Sequence, residues 1–305
     1  MAEVKRLIDC TKSDFEKMTA LELKESIYKS EGRVIMAQTL VMAGPGMMSG
    51  VSNAEIEAAF GADMIMLNTY HVNGEHENPG MQGMKLKDLK KLINRPIGIY
   101  LGCPVKGQEK SKSHGPIATP ENIKLCLEEE ADFIVLGGNP GAGTTIENII
   151  EATRVTKEIV GDKALIFSGK WEDGIKEKVL GDPLAKRPAK EIIKELIDAG
   201  ADVIDLPAPG SRHGISVDMI RELVEFVHSY KPGTVVMTFL NSSVESSDTD
   251  TIRQIALKMK ETGADIHAIG DGGYAGCTVP ENVYQLSMSI RGRRFTFKRM
   301  AANNR

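Results

Sequence analysis

A short segment, Gly-Ala-Asp or a close variant followed by an apolar run, returns along the chain at near-constant intervals and constrains the fold more than any other feature. It occurs as Gly61-Ala62-Asp63-Met64-Ile65, Glu130-Ala131-Asp132-Phe133-Ile134, Gly200-Ala201-Asp202-Val203-Ile204 and Gly263-Ala264-Asp265-Ile266-His267, with successive Asp residues 69, 70 and 63 positions apart. A Gly there can take the left-handed conformation that ends a helix, and the β-rich run after it has the length of a buried parallel strand. Each interval has room for one further strand. The spacing predicts strands near 34–39, 63–68, 97–102, 132–137, 164–168, 202–206, 234–240 and 265–270, alternating with helices. Eight such units are what a closed barrel needs, and a doubly wound sheet rarely reaches that count. The expected fold class is α/β, a (β/α)8 TIM barrel over residues 33–292, preceded by an N-terminal helical extension (1–32) and followed by a basic C-terminal tail (293–305).

Helix starts are marked by Thr19 with Glu22, Ser52 with Glu55, Thr119 before Pro120, Thr144 with Glu147, and Pro280 in a first turn. A length of 305 residues with 41% hydrophobic content suits one barrel with extensions. The net charge of -4 and pI near 6.0 provide no field for nucleic acid or an anionic membrane. Arg291, Arg293, Arg294, Lys298 and Arg299 make the tail locally basic and are expected to lie in solvent. No apolar stretch of about 18 residues exists, and the charged N-terminus does not read as a signal peptide, so a cytoplasmic protein is expected. Cys10, Cys103, Cys126 and Cys277 lack C-x-x-C spacing, which argues against disulfides and structural zinc. A homo-oligomer remains compatible with all of this.

Residues 69–85, 103–119 and 169–187 form long polar connections after strands two, three and five, so the C-terminal face is the expected working end. Aligning the even strands on their Asp puts Ile65, Leu67, Ile134, Leu136, Ile204, Leu206, His267 and Ile269 on the helix-facing side. The lumen side then carries Met64, Met66, Asn68, Phe133, Val135, Gly137, Val203, Asp205, Pro207, Ile266, Ala268 and Gly270. A carboxylate inside a barrel is heavily desolvated unless it is paired, binds a metal or serves as a base, which makes Asp205 the leading catalytic candidate. Asn68 could hydrogen-bond substrate. Lys170, just past strand five, could form a Schiff base or hold a phosphate, or else pair with Asp205. Gln38, Tyr100, Ser168 and Thr238 are polar interruptions in the odd strands, and Trp171 could shield a bound substrate or anchor its loop.

Strand eight runs into Gly270, Asp271, Gly272 and Gly273, a turn whose backbone amides could approach an anion, with Asn241, Ser242 and Ser243 as neighbouring donors. A second turn through Gly138 and Asn139 could hold another oxyanion. Neither is a nucleotide fingerprint, because G-x-G-x-x-G with a later acidic residue and G-K-[ST] are both missing. His71, Glu75, His76, Glu77, His114 and His213 lie in top-face loops without a zinc spacing; no cofactor is required, and Mg²⁺ on Asp205 and Asp271 is the form a metal site would take. Cys103 ends strand three without an identifiable base. Asp248-Thr249-Asp250-Thr251 imitates the nucleophile motif of haloacid dehalogenase-like enzymes, but its place before an amphipathic helix reads as an N-cap.

The segments Asp132-Phe-Ile-Val-Leu-Gly-Gly-Asn-Pro-Gly, Leu206-Pro-Ala-Pro-Gly and His267-Ala-Ile-Gly-Asp-Gly-Gly-Tyr-Ala-Gly with Pro280-Glu-Asn resemble those of an uncharacterised bacterial barrel family often labelled haloacid dehalogenase-like hydrolases. The resemblance spans residues 5–300 and implies a barrel, although such hydrolases use a Rossmann-like core instead. The leading expectation is an enzyme on a small phosphorylated or otherwise anionic metabolite, of lyase or isomerase type. In it the glycines and Ser242 hold phosphate, Asp205 moves a proton next to a carbonyl, and Lys170 polarises that carbonyl. Metal-assisted hydrolysis and a non-catalytic ligand-binding barrel are the alternatives.

Overall fold

A computed structural model describes residues 3–42, 44–105, 115–273 and 276–304 of the chain. His114, Tyr274 and Ala275 lie outside the described residues. Eight strands close into a barrel in sequence order, every neighbouring pair parallel. They are β1 (Val34–Leu40), β2 (Met64–Asn68), β3 (Ile97–Gly102), β4 (Phe133–Gly137), β5 (Leu165–Gly169), β6 (Val203–Pro207), β7 (Val235–Leu240) and β8 (Ile266–Ile269). Two helices, α1 (Lys12–Phe15) and α2 (Ala20–Tyr28), precede them. Around the barrel run α3 (Asn53–Ala59), α4 (Leu86–Ile93), α5 (Pro120–Glu128), α6 (Ile146–Val160), α7 (Ala189–Ala199), α8 (Val217–Tyr230), α9 (Thr249–Glu261) and α10 (Pro280–Met300). Among the described residues, no helix is long and apolar enough to cross a membrane.

The sequence repeat has one structural meaning at all four sites. Gly61, Glu130, Gly200 and Gly263 all have positive φ (111°, 62°, 111° and 82°), so even the non-glycine member adopts the left-handed stop. Each following Asp then clamps one residue of the strand before it. The backbone N–H groups of Asp63, Asp132, Asp202 and Asp265 donate to the carbonyls of Ile35, Ile97, Ile166 and Val236 at 2.8–2.9 Å. Their Oδ2 atoms accept the N–H groups of those same four residues, at 2.8, 2.9, 3.2 and 2.8 Å. The four carboxylates thus lock odd strands to even ones at the N-terminal end of the barrel.

Alternation along the strands separates two apolar layers, as the pattern predicts. Ile65, Leu67, Ile134, Leu136, Ile204, Leu206 and Ile269 pack with the surrounding helices. Met64, Met66, Phe133, Val135, Val203, Ile266 and Ala268 fill the lumen, joined by Leu7, Ala20, Leu23 and Ile27 of the N-terminal segment, which stops the lower opening. Gly98 leaves its place in the lumen to the Phe133 ring, which a Cβ there would meet at 2.1 Å. His267 faces outward as expected: Nδ1 lies 3.2 Å from Thr238 Oγ1 and Nε2 lies 3.1 Å from the Gly32 carbonyl.

Three expectations need correction. The α6 cap is Thr145 with Asn148, one residue beyond Thr144 with Glu147, because Thr145 has the extended backbone and its hydroxyl accepts the Asn148 N–H. Arg291 and Arg299 are buried, since a break at Gly292 (φ 72°, ψ 174°) folds the last helix back. Their guanidinium groups lie 2.5 and 2.6 Å from the Asp63 carboxylate. Ser168 and Thr238 point away from the lumen; Ser168 bonds Thr153 on α6 and Thr238 bonds His267.

Candidate functional site at the barrel mouth

On β6, Ile204 and Leu206 turn to the helices, so the pleat sends Asp205 into the lumen. Its relative exposure is 0%, and among the described residues nothing hydrogen-bonds either carboxylate oxygen. Burial alone pushes its pKa well above the ordinary carboxylate range, because the anion would have no compensating dipole or charge. Beside it, a Cβ on Gly169 would fall 2.1 Å from the Asp205 carbonyl oxygen, so only glycine fits.

Trp171 roofs this space. The lumen position at Gly137 carries no side chain, and a Cβ there would lie 2.7 Å from the indole Cη2 and 3.2 Å from the Tyr100 hydroxyl. Trp171 meets Tyr100 edge-on (6.1 Å between centroids) and Phe239 at 5.4 Å. Tyr100 is buried, and its hydroxyl has no hydrogen-bond partner among the described residues. Its phenol pKa is raised first by burial and then by the charges of Glu172, Cys103, Asp173 and Asp205.

Above this roof stands a rim of acids. Asn68 Nδ2 donates to Asp271 Oδ2 at 3.0 Å, and Asn241 Nδ2 donates to Glu172 Oε2 at 3.0 Å. The Gly272 N–H donates to Glu245 Oε1 at 3.1 Å. Two consecutive left-handed residues, Ser242 (φ 70°) and Ser243 (φ 68°), reverse the chain after β7 and return Glu245 to this turn. Asp271 is pushed up to about 6 by burial, against the Asn68 hydrogen bond. Glu172 is pushed up to about 8, first by burial and then by the Asp271 charge, while Arg212 opposes the rise. Burial, with Asp271 as a further cause, also raises Glu245 and Glu57.

Several predicted roles change in this setting. Two amides of the glycine turn expected to hold phosphate are already bonded: Gly270 N–H pairs with the Leu240 carbonyl, and Gly272 N–H is taken by Glu245. The second turn behaves alike, with Gly141 N–H donating to Asp173 and the α6 N-terminus at Ile146 N–H donating to Glu177. Gly138 there packs against Thr144, and Asn139 accepts the Ala142 N–H at its carbonyl. Gly273 packs on the backbone of residues 277–279, and Ser242 Oγ accepts from Arg212 at 2.8 Å. The protein's own carboxylates occupy the places that sequence reasoning assigned to a ligand.

Lys170 continues the outward phase of β5 and donates to the Thr144 carbonyl at 2.8 Å. Burial lowers its pKa, but it does not meet Asp205, on which no charged group among the described residues acts. Gln38 lies on the lumen face in register with Met66. Asp271 is held by Asn68 instead of forming a pair with Asp205, and among the described residues no three His, Cys, Asp or Glu converge as metal ligands. The His71 and His76 rings meet edge-on at 4.6 Å, and His213 is exposed. Cys103 is a buried free thiol whose pKa is raised by burial. Asp248 caps α9 through the N–H groups of Asp250 and Thr251. Sequence reasoning missed Glu172, Glu245 and Arg212. Glu172 adjoins Trp171 in a long loop, which was a usable signal; Glu245 is brought in by the chain reversal at 242–243, which carries no sequence signal.

The model of a domain of unknown function (DUF7916) matches residues 8–305. No curated protein matches the chain. Among solved structures, the chain is similar to a protein from Burkholderia cenocepacia J2315 whose name provisionally assigns it to the lyases or mutases (16% identity, 86% of this chain and 84% of that one, TM-score 0.53). It is also similar to the carboxyl transferase domain of Rhizobium etli pyruvate carboxylase with 3-bromopyruvate (12%, 98% and 53%, TM-score 0.56). A third similar structure is a Schiff base forming fructose-1,6-bisphosphate aldolase (12%, 89% and 99%, TM-score 0.55). At these identities the likeness establishes the TIM-barrel fold alone. The resemblance to haloacid dehalogenase-like hydrolases is corrected: the matching family carries no such label, and these neighbours are lyase/mutase, carboxyl transferase and aldolase barrels.

Proposed function

The chain belongs to the DUF7916 family, which prescribes no reaction, and from that premise we propose a lyase-type enzyme that transfers a proton next to a carbonyl of a small metabolite. One observation carries the reading: Asp205, wholly buried in the lumen, with neither oxygen bonded among the described residues. Retaining an unsatisfied buried carboxyl costs about 1–3 kcal/mol, and a carboxyl whose pKa is raised by burial suits general acid–base work at neutral pH. Its position under the C-terminal mouth fits the end where barrel enzymes act. The names carried by similar barrels agree with carbon–carbon or carbonyl chemistry.

In this reading the ionised fraction of Asp205 takes the proton from the carbon beside the carbonyl and returns it from the carboxylic acid so formed, while the Tyr100 hydroxyl donates to the developing enolate oxygen. Trp171 excludes water from the lumen. The test is hydrogen–deuterium exchange at the α-carbon of a panel of small carbonyl metabolites, followed by NMR in deuterated water. Wild-type protein should wash label into at least one compound, and Asp205→Asn should slow that exchange by about 100-fold or more. An Asp205→Asn protein that exchanges label at the wild-type rate would refute the proposal.

A further inference from the structure

Counting donors and acceptors at the rim gives a lopsided result. Among the described residues, Asp271 Oδ2, Glu172 Oε2 and Glu245 Oε1 accept hydrogen bonds from Asn68, Asn241 and Gly272. Each has a second oxygen. Glu245 is 4% exposed and Asn68 7% exposed, yet Glu245 Oε2 and Asn68 Oδ1 have no partner among the described residues. Below them both oxygens of Asp205 are equally unmatched. On the donor side, the Gly270 and Gly272 amides are consumed, and Lys170 is turned to Thr144. Arg212 opposes Glu172 from the rim while its Nη1 is bonded to Ser242; among the described residues no cation offsets Asp271.

Among the described residues, a phosphate would therefore meet acids and two amides already bonded, whereas a group rich in N–H donors would meet unused acceptors. A divalent ion demands oxygens converging at one point, and no such convergence exists among the described residues. An ammonium group carries three donors that can reach separate acceptors. We propose that the metabolite taken by this mouth bears a protonated amine, held between Asp271 and Glu172, with Glu245 and the Asn68 amide oxygen completing its acceptors. This rests on the reading of the mouth as the substrate site of a proton-transfer enzyme. Amine binding favours the ionised carboxylates, so it releases protons from acids that otherwise repel one another.

The test is isothermal titration calorimetry of the full chain with ethanolamine and 1,3-diaminopropane at matched ionic strength. Ethylene glycol, inorganic phosphate and magnesium chloride are the comparison probes. The amines should bind saturably with proton release, visible as a heat that varies with buffer ionisation enthalpy. Their Kd should rise about tenfold or more in Glu172→Gln/Asp271→Asn; because that change removes repulsion, thermal melting should show the variant folded. Absence of amine binding, amine binding unchanged in the variant, equal binding of ethylene glycol, or variant-sensitive binding of phosphate or magnesium would each overturn the inference. Asp205→Asn separates the two readings: retained amine affinity with lost label exchange supports both. Retained exchange with retained affinity removes the proton-transfer role alone, and lost exchange on a substrate without an amine removes this inference alone.

Discussion

The two ends of the barrel treat buried acids in opposite ways. At the N-terminal end, Asp63, Asp132, Asp202 and Asp265 each accept a strand N–H and each face a basic partner: Arg291 with Arg299, Lys90, Lys24 and His228 respectively. At the C-terminal end, Asp205 has no partner among the described residues, and the rim acids share repulsion with Arg212 as the offsetting cation. Similar residue types, similarly withdrawn from water, are satisfied at one end and left wanting at the other. In a barrel, the first pattern serves cohesion and the second leaves capacity for a ligand or a proton.

The sharpest way to break this contrast is Asp63→Asn. It would strand the buried Arg291 and Arg299 guanidinium groups, so chemical denaturation should show a loss of about 3–5 kcal/mol. A loss below about 1 kcal/mol would mean that the lower ring of acids is dispensable. The pH response comes next. Acids whose folded pKa is raised bind protons more tightly in the fold, so their stabilisation is full below the ordinary carboxylate range and declines as pH rises through it. For Asp271 the decline runs up to about 6 and for Glu172 up to about 8. Each group contributes up to about 1.4 kcal/mol per pH unit while only the folded form keeps its proton.

His228, whose pKa is raised by its Asp265 hydrogen bond, acts in the same direction at the other end. Buried His267, lowered to about 4, acts oppositely as pH falls below about 6.5. The contribution of the mouth is therefore the part of the slope that Glu172→Gln/Asp271→Asn removes. Melting temperatures at about pH 5.5 and about pH 8 should differ less in this variant than in the wild type. An unchanged slope would place the effect elsewhere.

Asp205→Leu keeps the branched shape while removing two unmatched oxygens, and should raise stability by about 1–3 kcal/mol. Destabilisation would indicate that the carboxyl is satisfied after all. The smallest expected effect is at an ordinary surface cap: Asp248→Ala should cost about 1 kcal/mol in denaturation.

Much of this contrast could be read from the sequence, because it follows from pleat and period. The four-fold Asp repeat, the helix-facing Ile and Leu, and Asp205 in the lumen all come from strand alternation, which a chain cannot change without exposing its core. The repeat did not disclose that its Asp side chains clamp the preceding strand, since that bond crosses 28–36 residues of chain. Sequence reasoning failed most where loops meet. Glycines 270, 272 and 273 look like an anion site only until Glu245 arrives, and its approach depends on two left-handed serines that no propensity favours. Lys170 was placed at the lumen mouth, to polarise a carbonyl or else to pair with Asp205, whereas one step of the pleat beyond Gly169 sends it outward to the Thr144 carbonyl. Arg299 was misread as solvated because the break at Gly292 could not be placed from composition.

The central claim is most directly tested by the protonation state of Asp205. Protein carrying ¹³C-labelled aspartate carboxyls can be followed by NMR from about pH 5 to about pH 9, with Asp205→Asn used to assign the signal. The account predicts one aspartate carboxyl, absent from the variant, that remains in the protonated form at about pH 7. An Asp205 signal already ionised there would contradict it.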